Sequence, residues 1–122
     1  MFVITQQIVQ QTADYLKQHL AINNPYYTVS YKKIVEDLQL PELDGNWSNH
    51  PLCKIFDQLD QLDAKLSRPL RTSIVINKST GKPGPGFFKA LGEYTKKSIP
   101  KDDIKQLELW ADQLEQAKKY NY

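Results

Sequence analysis

The sequence predicts an α+β fold that is mostly helical: a winged helix-turn-helix-like body with a small β-hairpin, flanked by N- and C-terminal helices. Three observations predict it. Apolar residues recur at helical spacing in four separate stretches, a β-type run from Leu70 to Ile76 follows the third of them, and a glycine- and proline-rich basic loop then leads into Phe87 and Phe88. At 122 residues the chain suits one domain, residues 1–122, large enough to bury a core without disulfides or metal. The winged-helix-like core is placed at about residues 26–90 and the flanking helices at 4–20 and 100–119.

In the first helix, Ile4, Ile8, Val9, Ala13, Leu16 and Leu20 share one face, with Gln6, Gln7, Gln10, Asp14, Lys17 and Gln18 opposite. Asn23-Asn24-Pro25 ends it, because proline lacks an amide donor and drives its predecessor out of helical geometry. His19, in the last turn, reads as a cation set against the helix dipole rather than as a ligand. Tyr26-Tyr27-Thr28-Val29 predicts an extended lead-in or edge strand. Ser30 then caps a helix that buries Tyr31, Ile34, Val35 and Leu38 and stops at Leu40-Pro41. Trp47 is expected to pack over the helix junction. Ser48 or Asn49 is the expected cap of the third helix, with Pro51 in its first turn. Its apolar stripe is Leu52, Ile55, Phe56, Leu59, Leu62 and Leu66, and the opposite face carries Lys54, Asp57, Gln58, Asp60 and Gln61.

Beyond Pro69, Leu70, Thr72, Ile74 and Ile76 alternate with Arg71, Ser73, Val75 and Asn77, as in a strand with one dry face. Lys78-Ser79-Thr80-Gly81 reads as a turn, with Gly81 free to take positive φ. A short helix is expected around Phe88, Leu91 and Tyr94. Pro100 opens the last helix, with Asp102 and Asp103 in its first turn and Ile104, Leu107, Trp110, Ala111, Leu114 and Ala117 inward. That helix packs on the first one in a monomer or pairs with a second copy in a homodimer.

Composition excludes several function classes. One cysteine, Cys53, rules out an internal disulfide framework and an all-cysteine zinc site, and it fits a reducing cytoplasm. Cys53 lacks a recognisable His-Asp partner and reads as an inert core thiol. The N-terminus has no basic n-region or cleavage pattern, and no apolar run is long enough to span a membrane. No catalytic residue, metal site or cofactor motif is recognisable, so the chain reads as non-enzymatic. Net charge is only +2, but its distribution is uneven. Between Glu36 and Asp63 seven acids face one lysine, whereas between Lys65 and Lys101 nine cations face one acid. One side of the molecule is therefore expected to attract anions.

Pro83-Gly84-Pro85-Gly86 alternates the stiffest residue with the most permissive one, so the loop is shaped rather than floppy. The backbone N–H groups of Gly84 and Gly86, with Lys78 and Lys82 nearby, are candidates for cradling a phosphate. The loop is neither a Walker A sequence nor a dinucleotide fingerprint. A purely structural reading makes it a corner that seats Phe87 and Phe88 in the core.

The run Val75-Ile76-Asn77-Lys78-Ser79-Thr80-Gly81-Lys82-Pro83-Gly84-Pro85-Gly86-Phe87, preceded by Val29-Ser30-Tyr31-Lys32-Lys33-Ile34 at a helix start, resembles a set of uncharacterised bacterial winged-helix-like proteins. These carry a Val-x-Asn-Lys-x-Thr-Gly-x-Pro-Gly-x-Gly-Phe type loop and are often linked to mobile elements or defence genes. The resemblance covers roughly Tyr27 to Phe88. More distantly, the layout is similar to the DNA-binding domain of alkyltransferase-like proteins, in which a Ser-Tyr pair also opens a helix. Their Pro-Cys-His-Arg site has no counterpart here, since Cys53 is followed by Lys54-Ile55-Phe56.

The expected function is duplex DNA binding without catalysis, through Asn49, His50 and Lys54 at the start of the third helix and Arg71, Lys78, Lys82, Gly84 and Gly86 of the wing. His50 is either a pH-dependent phosphate contact or a helix-start hydrogen bond. The alternative function is a protein-interaction adaptor or inhibitor in a phage or mobile-element conflict.

Overall fold

The structure is a computed structural model and describes residues 2–43, 45 and 47–122. The order of elements among the described residues is α1 (Gln6–Leu20), β1 (Val29–Ser30), α2 (Tyr31–Asp37), a 3-10 turn (Trp47–Asn49), α3 (Pro51–Lys65), a second 3-10 turn (Arg71–Ile74), β2 (Val75–Ile76), α4 (Pro85–Thr95) and α5 (Asp103–Lys119). The fold is α+β and mostly helical.

Local chemistry sets most of the helix starts. The Thr5 hydroxyl accepts from the Ile8 amide, Ser30 from Lys33, and the Asp102 carboxylate from both Ile104 and Lys105, each satisfying an amide with no partner inside its helix. At α3 the expected cap shifts by one residue. His50, not Ser48 or Asn49, takes the position, its Nδ1 accepting from the Leu52 amide at 3.0 Å with Pro51 in the first turn.

The helix α3 is the central element, packed against α1, α4 and the second 3-10 turn. Leu52, Ile55 and Leu59 share one buried cluster with Leu16 and Leu20 of α1, Ile34 and Val35 of α2, and Leu114 and Ala117 of α5. Full burial of one such side chain contributes about 1.5–3 kcal/mol. A smaller cluster of Leu70, Phe87 and Leu91 joins α4 to Ile99, Leu109 and Trp110. The stripe of α3 departs from expectation toward its end: Leu62 and Leu66 are exposed, while Asp60 and Asp63 are buried. The reason is a row of donors on the second 3-10 turn, which packs against that face and supplies partners for both carboxyls.

The expected strand and hairpin are likewise corrected. Residues 70–75 are all buried, and Arg71–Ile74 coil into a 3-10 turn, so the alternating pattern does not mark one dry and one wet face. The only regular strand pairing among the described residues is parallel, Val29 opposite Val75 and Ser30 opposite Ile76. A parallel pair requires a long crossover, here supplied by α2 and α3. What remains of a hairpin is a tight turn closed by one antiparallel bridge, Asn77 to Lys82. Gly81 sits in it with φ of 71°, which a side chain would strain.

The helix α5 clamps the molecule shut through polar bonds. Trp110 donates from Nε1 to the Ser73 carbonyl, Gln113 accepts from the Leu70 amide, and Lys118 Nζ reaches the carbonyls of Asn24, Pro25 and Tyr27. Trp110 and Gln113 are thus spent inside the chain. Ile104, expected inward, is 69% exposed.

Candidate functional site

The amino-terminal half of α3 and the loop that carries Pro83 to Phe87 do not close on each other. Between them lies an open groove of about 950 Å³. Three consequences of the local sequence build it. Pro83 is buried and anchors the loop, while Pro85 starts α4 and turns the chain away. The Gly84 amide donates to the Tyr31 hydroxyl at 3.3 Å, tying the loop to α2. A Cβ on Gly84 would lie 3.4 Å from that hydroxyl, an ordinary contact distance, so the hydrogen bond and not the absence of a side chain fixes the loop there.

One wall is aromatic. The Tyr31 and Trp47 ring centroids are 4.9 Å apart, and Trp47 lies 6.2 Å from Phe56. Facing this wall are Gly84, Pro85, Gly86 and Phe87. Asp60 also lines the groove, though only 5% of the residue is exposed, and its carboxyl accepts from the Thr72 hydroxyl at 2.6 Å. Burial pushes the Asp60 carboxyl up to about 7; the Thr72 hydrogen bond opposes this, and repulsion from Asp63 and Asp57 adds to it. Burial also raises the Tyr31 phenol and the half-buried Cys53 thiol, the latter helped by the charge of Asp57. A thiol held protonated is a poor nucleophile. Toward one end, Tyr94 donates to Asp57, which pushes its phenol up to about 12.

The eight residues expected to meet DNA divide into two sets. Asn49, Lys54, Lys78 and Lys82 are exposed, and none of the three lysines forms an ion pair among the described residues. Gly86, in the first turn of α4, is exposed and lines the groove. The other three are committed internally. His50 is buried beneath Trp47, with Nδ1 capping the helix start by accepting from Leu52 and Nε2 donating to the Pro41 carbonyl at 2.7 Å, so both nitrogens are committed inside the chain. Arg71 is buried with its guanidinium on Asp63, at 2.9 and 3.1 Å, under the Tyr122 ring at 4.6 Å. It is a structural cation and not part of a basic surface. The Gly84 amide is taken by Tyr31, which leaves the proposed anion cradle with the Gly86 amide alone of its two glycines.

Lys78 and Lys82 belong to the projecting turn, stiffened by Asn77, whose Oδ1 accepts from the Ser79 amide at 3.0 Å and the Ser79 hydroxyl at 2.7 Å. The loop therefore has two parts, a basic tip that projects and a Pro-Gly segment that tucks against the body.

Tyr31, Trp47, Phe56, Asp60, Thr72 and Phe87 were not marked as a site by sequence reasoning. One signal was present. Leu52, Phe56, Asp60 and Asp63 are spaced i, i+4, i+8 and i+11, which puts two acids on the apolar stripe of α3. Among the described residues no group of three or more His, Cys, Asp or Glu side chains is placed to hold a metal ion, and no helix is long and apolar enough to cross a membrane. Comparison of the chain with known protein families, curated proteins and solved structures finds no match.

Proposed function

We propose that the chain is a non-enzymatic interaction module that receives a segment of a partner protein in the groove between α3 and the Pro-Gly loop. The observation that carries this reading is the combination of aromatic walls with a buried carboxyl in an open, shaped groove. Such a partly apolar receptacle suits an anchor side chain, which supplies most of the binding energy of an interface. An adaptor or inhibitor acting in the cytoplasm is the role that follows. Selection of a random phage-displayed peptide library tests it. Peptides enrich on the native chain and fail to bind Gly86→Trp, which sets a bulky side chain on a residue that lines the groove; a Cβ at Gly86 meets nothing within 4 Å, so the substitution begins in open space. No enrichment, or equal binding to Gly86→Trp, rejects the reading.

A second reading is duplex DNA binding by a winged-helix-like body. It is supported by Lys78 and Lys82, exposed and without an ion pair among the described residues, on a stiff turn that follows two successive helices. It is weakened by the inward roles of His50 and Arg71. Gel-shift titration over a salt series, comparing the native chain with Lys78→Glu/Lys82→Glu, tests it. Salt-sensitive binding lost in the variant supports it, and no shift of duplex DNA at low salt rejects it.

A further inference from the structure

We infer that the groove selects a basic side chain: the docked segment brings a lysine or arginine whose cationic head meets Asp60 while its alkyl stem lies along the aromatic wall of Tyr31, Trp47 and Phe56. The inference rests on the groove reading above and names the chemistry of the docked group.

Two neighbouring carboxyls on α3 make the case by contrast. Asp63 is fully buried and fully compensated, with Arg68 Nε at 2.7 Å, the Arg71 guanidinium at 2.9 Å and the Arg71 amide at 3.1 Å. Asp60, one helical turn earlier, is almost as buried but has only a neutral hydroxyl as its hydrogen-bond partner among the described residues. A buried acid without a cation is costly, and a structural acid in this same helix receives two. Asp60 differs from Asp63 in one further respect, since it borders the groove. The missing cation therefore has a route in. The aromatic wall is compatible with such a group, because aromatic side chains accept an aliphatic stem and attract a nearby cation.

The surrounding charges are compatible with this. On α3 itself, Cys53, Lys54 and Asp57 border the groove, His50 caps the helix, and Asp63 is neutralised by its arginines. Tyr31 comes from α2, and α4 contributes Lys89, Glu93 and Tyr94. The rim lysines Lys54 and Lys89 are exposed, and neither forms an ion pair with Asp60 among the described residues. The carboxyl is left available to an incoming cation.

The competing occupant is a neutral acceptor, such as a peptide carbonyl, held by protonated Asp60. The two have opposite pH signatures. A cation binds the ionised carboxyl, so affinity falls as pH drops below about 7, approaching about tenfold per pH unit. A neutral acceptor binds the protonated form and loses affinity as pH rises.

The experiment extends the library selection. Peptides that bind the native chain and not Gly86→Trp share one lysine or arginine, and replacing it by norleucine weakens them about thirtyfold or more. Asp60→Asn, whose amide oxygen still accepts from Thr72, loses the same affinity and the pH dependence. Peptides blocked by Gly86→Trp but lacking a common basic residue, insensitive to norleucine, or tighter at low pH overturn the cationic inference and leave the groove intact. Peptides indifferent to Gly86→Trp overturn both. The norleucine arm alters only the ligand, so it decides the matter even if Asp60→Asn folds poorly.

Discussion

Asp60 and Asp63 lie three residues apart on one helix, yet their stability effects run in opposite directions. Removing Asp63 strands Arg71 beneath the Tyr122 ring, so Asp63→Ala is expected to destabilise the fold by about 3–5 kcal/mol in urea denaturation. Asp60 imposes a cost instead. Its carboxyl ionises near 7 in the folded chain and near 3.8 when unfolded, so between these values the folded state holds more protons. Stability therefore falls as pH rises through that window, by an amount on the order of a few kcal/mol once both states are ionised. Denaturation at about pH 5 and about pH 8 should show this slope in the native chain and a flatter one in Asp60→Asn, which should be the more stable protein at the higher pH. An unchanged slope would mean that another group sets it.

At the scale of elements, the Pro-Gly loop is a seat built from backbone restriction and one long-range hydrogen bond. Pro83 and Pro85 restrict the backbone at two positions, and the Tyr31 hydroxyl receives the Gly84 amide between them. Tyr31→Phe keeps the ring against Trp47 and Phe56 but removes that acceptor. The expected result is a loss of about 1 kcal/mol with faster hydrogen exchange at the Gly84 amide and at the first amides of α4. If only global stability fell, without preferential exchange in the loop, the hydroxyl would not be what holds the seat. The projecting Asn77 to Lys82 turn has its own hydrogen bonds, so its exchange should be unaffected.

At the scale of the whole molecule, α5 is the closing element, and it acts through side chains bonded to backbone. Lys118 satisfies three carbonyls of the segment between α1 and β1, so Lys118→Met is expected to cost about 1–2 kcal/mol and to loosen that segment, as seen by thermal denaturation and by exchange near Tyr27. The helices could be read from the chain because their causes are local: apolar spacing in α1 and α5, the Ser30 hydroxyl ahead of α2, Pro51 opening α3. The 3-10 turn at Arg71 could not. Its alternation of Leu70, Thr72 and Ile74 is equally that of a strand, and what coils it is the capture of the Arg71 and Leu70 amides by Asp63 and Gln113. The same distant partners draw Arg71 out of the basic surface and turn an acid row on α3 inward. The chain by itself thus marked the five α-helices among the described residues and an exposed basic turn near Lys78. Only tertiary packing decided that Tyr31, Trp47, Asp60 and Phe87 border one groove, because residues so far apart in the chain are brought together by burial of shared apolar surface, which no local pattern encodes.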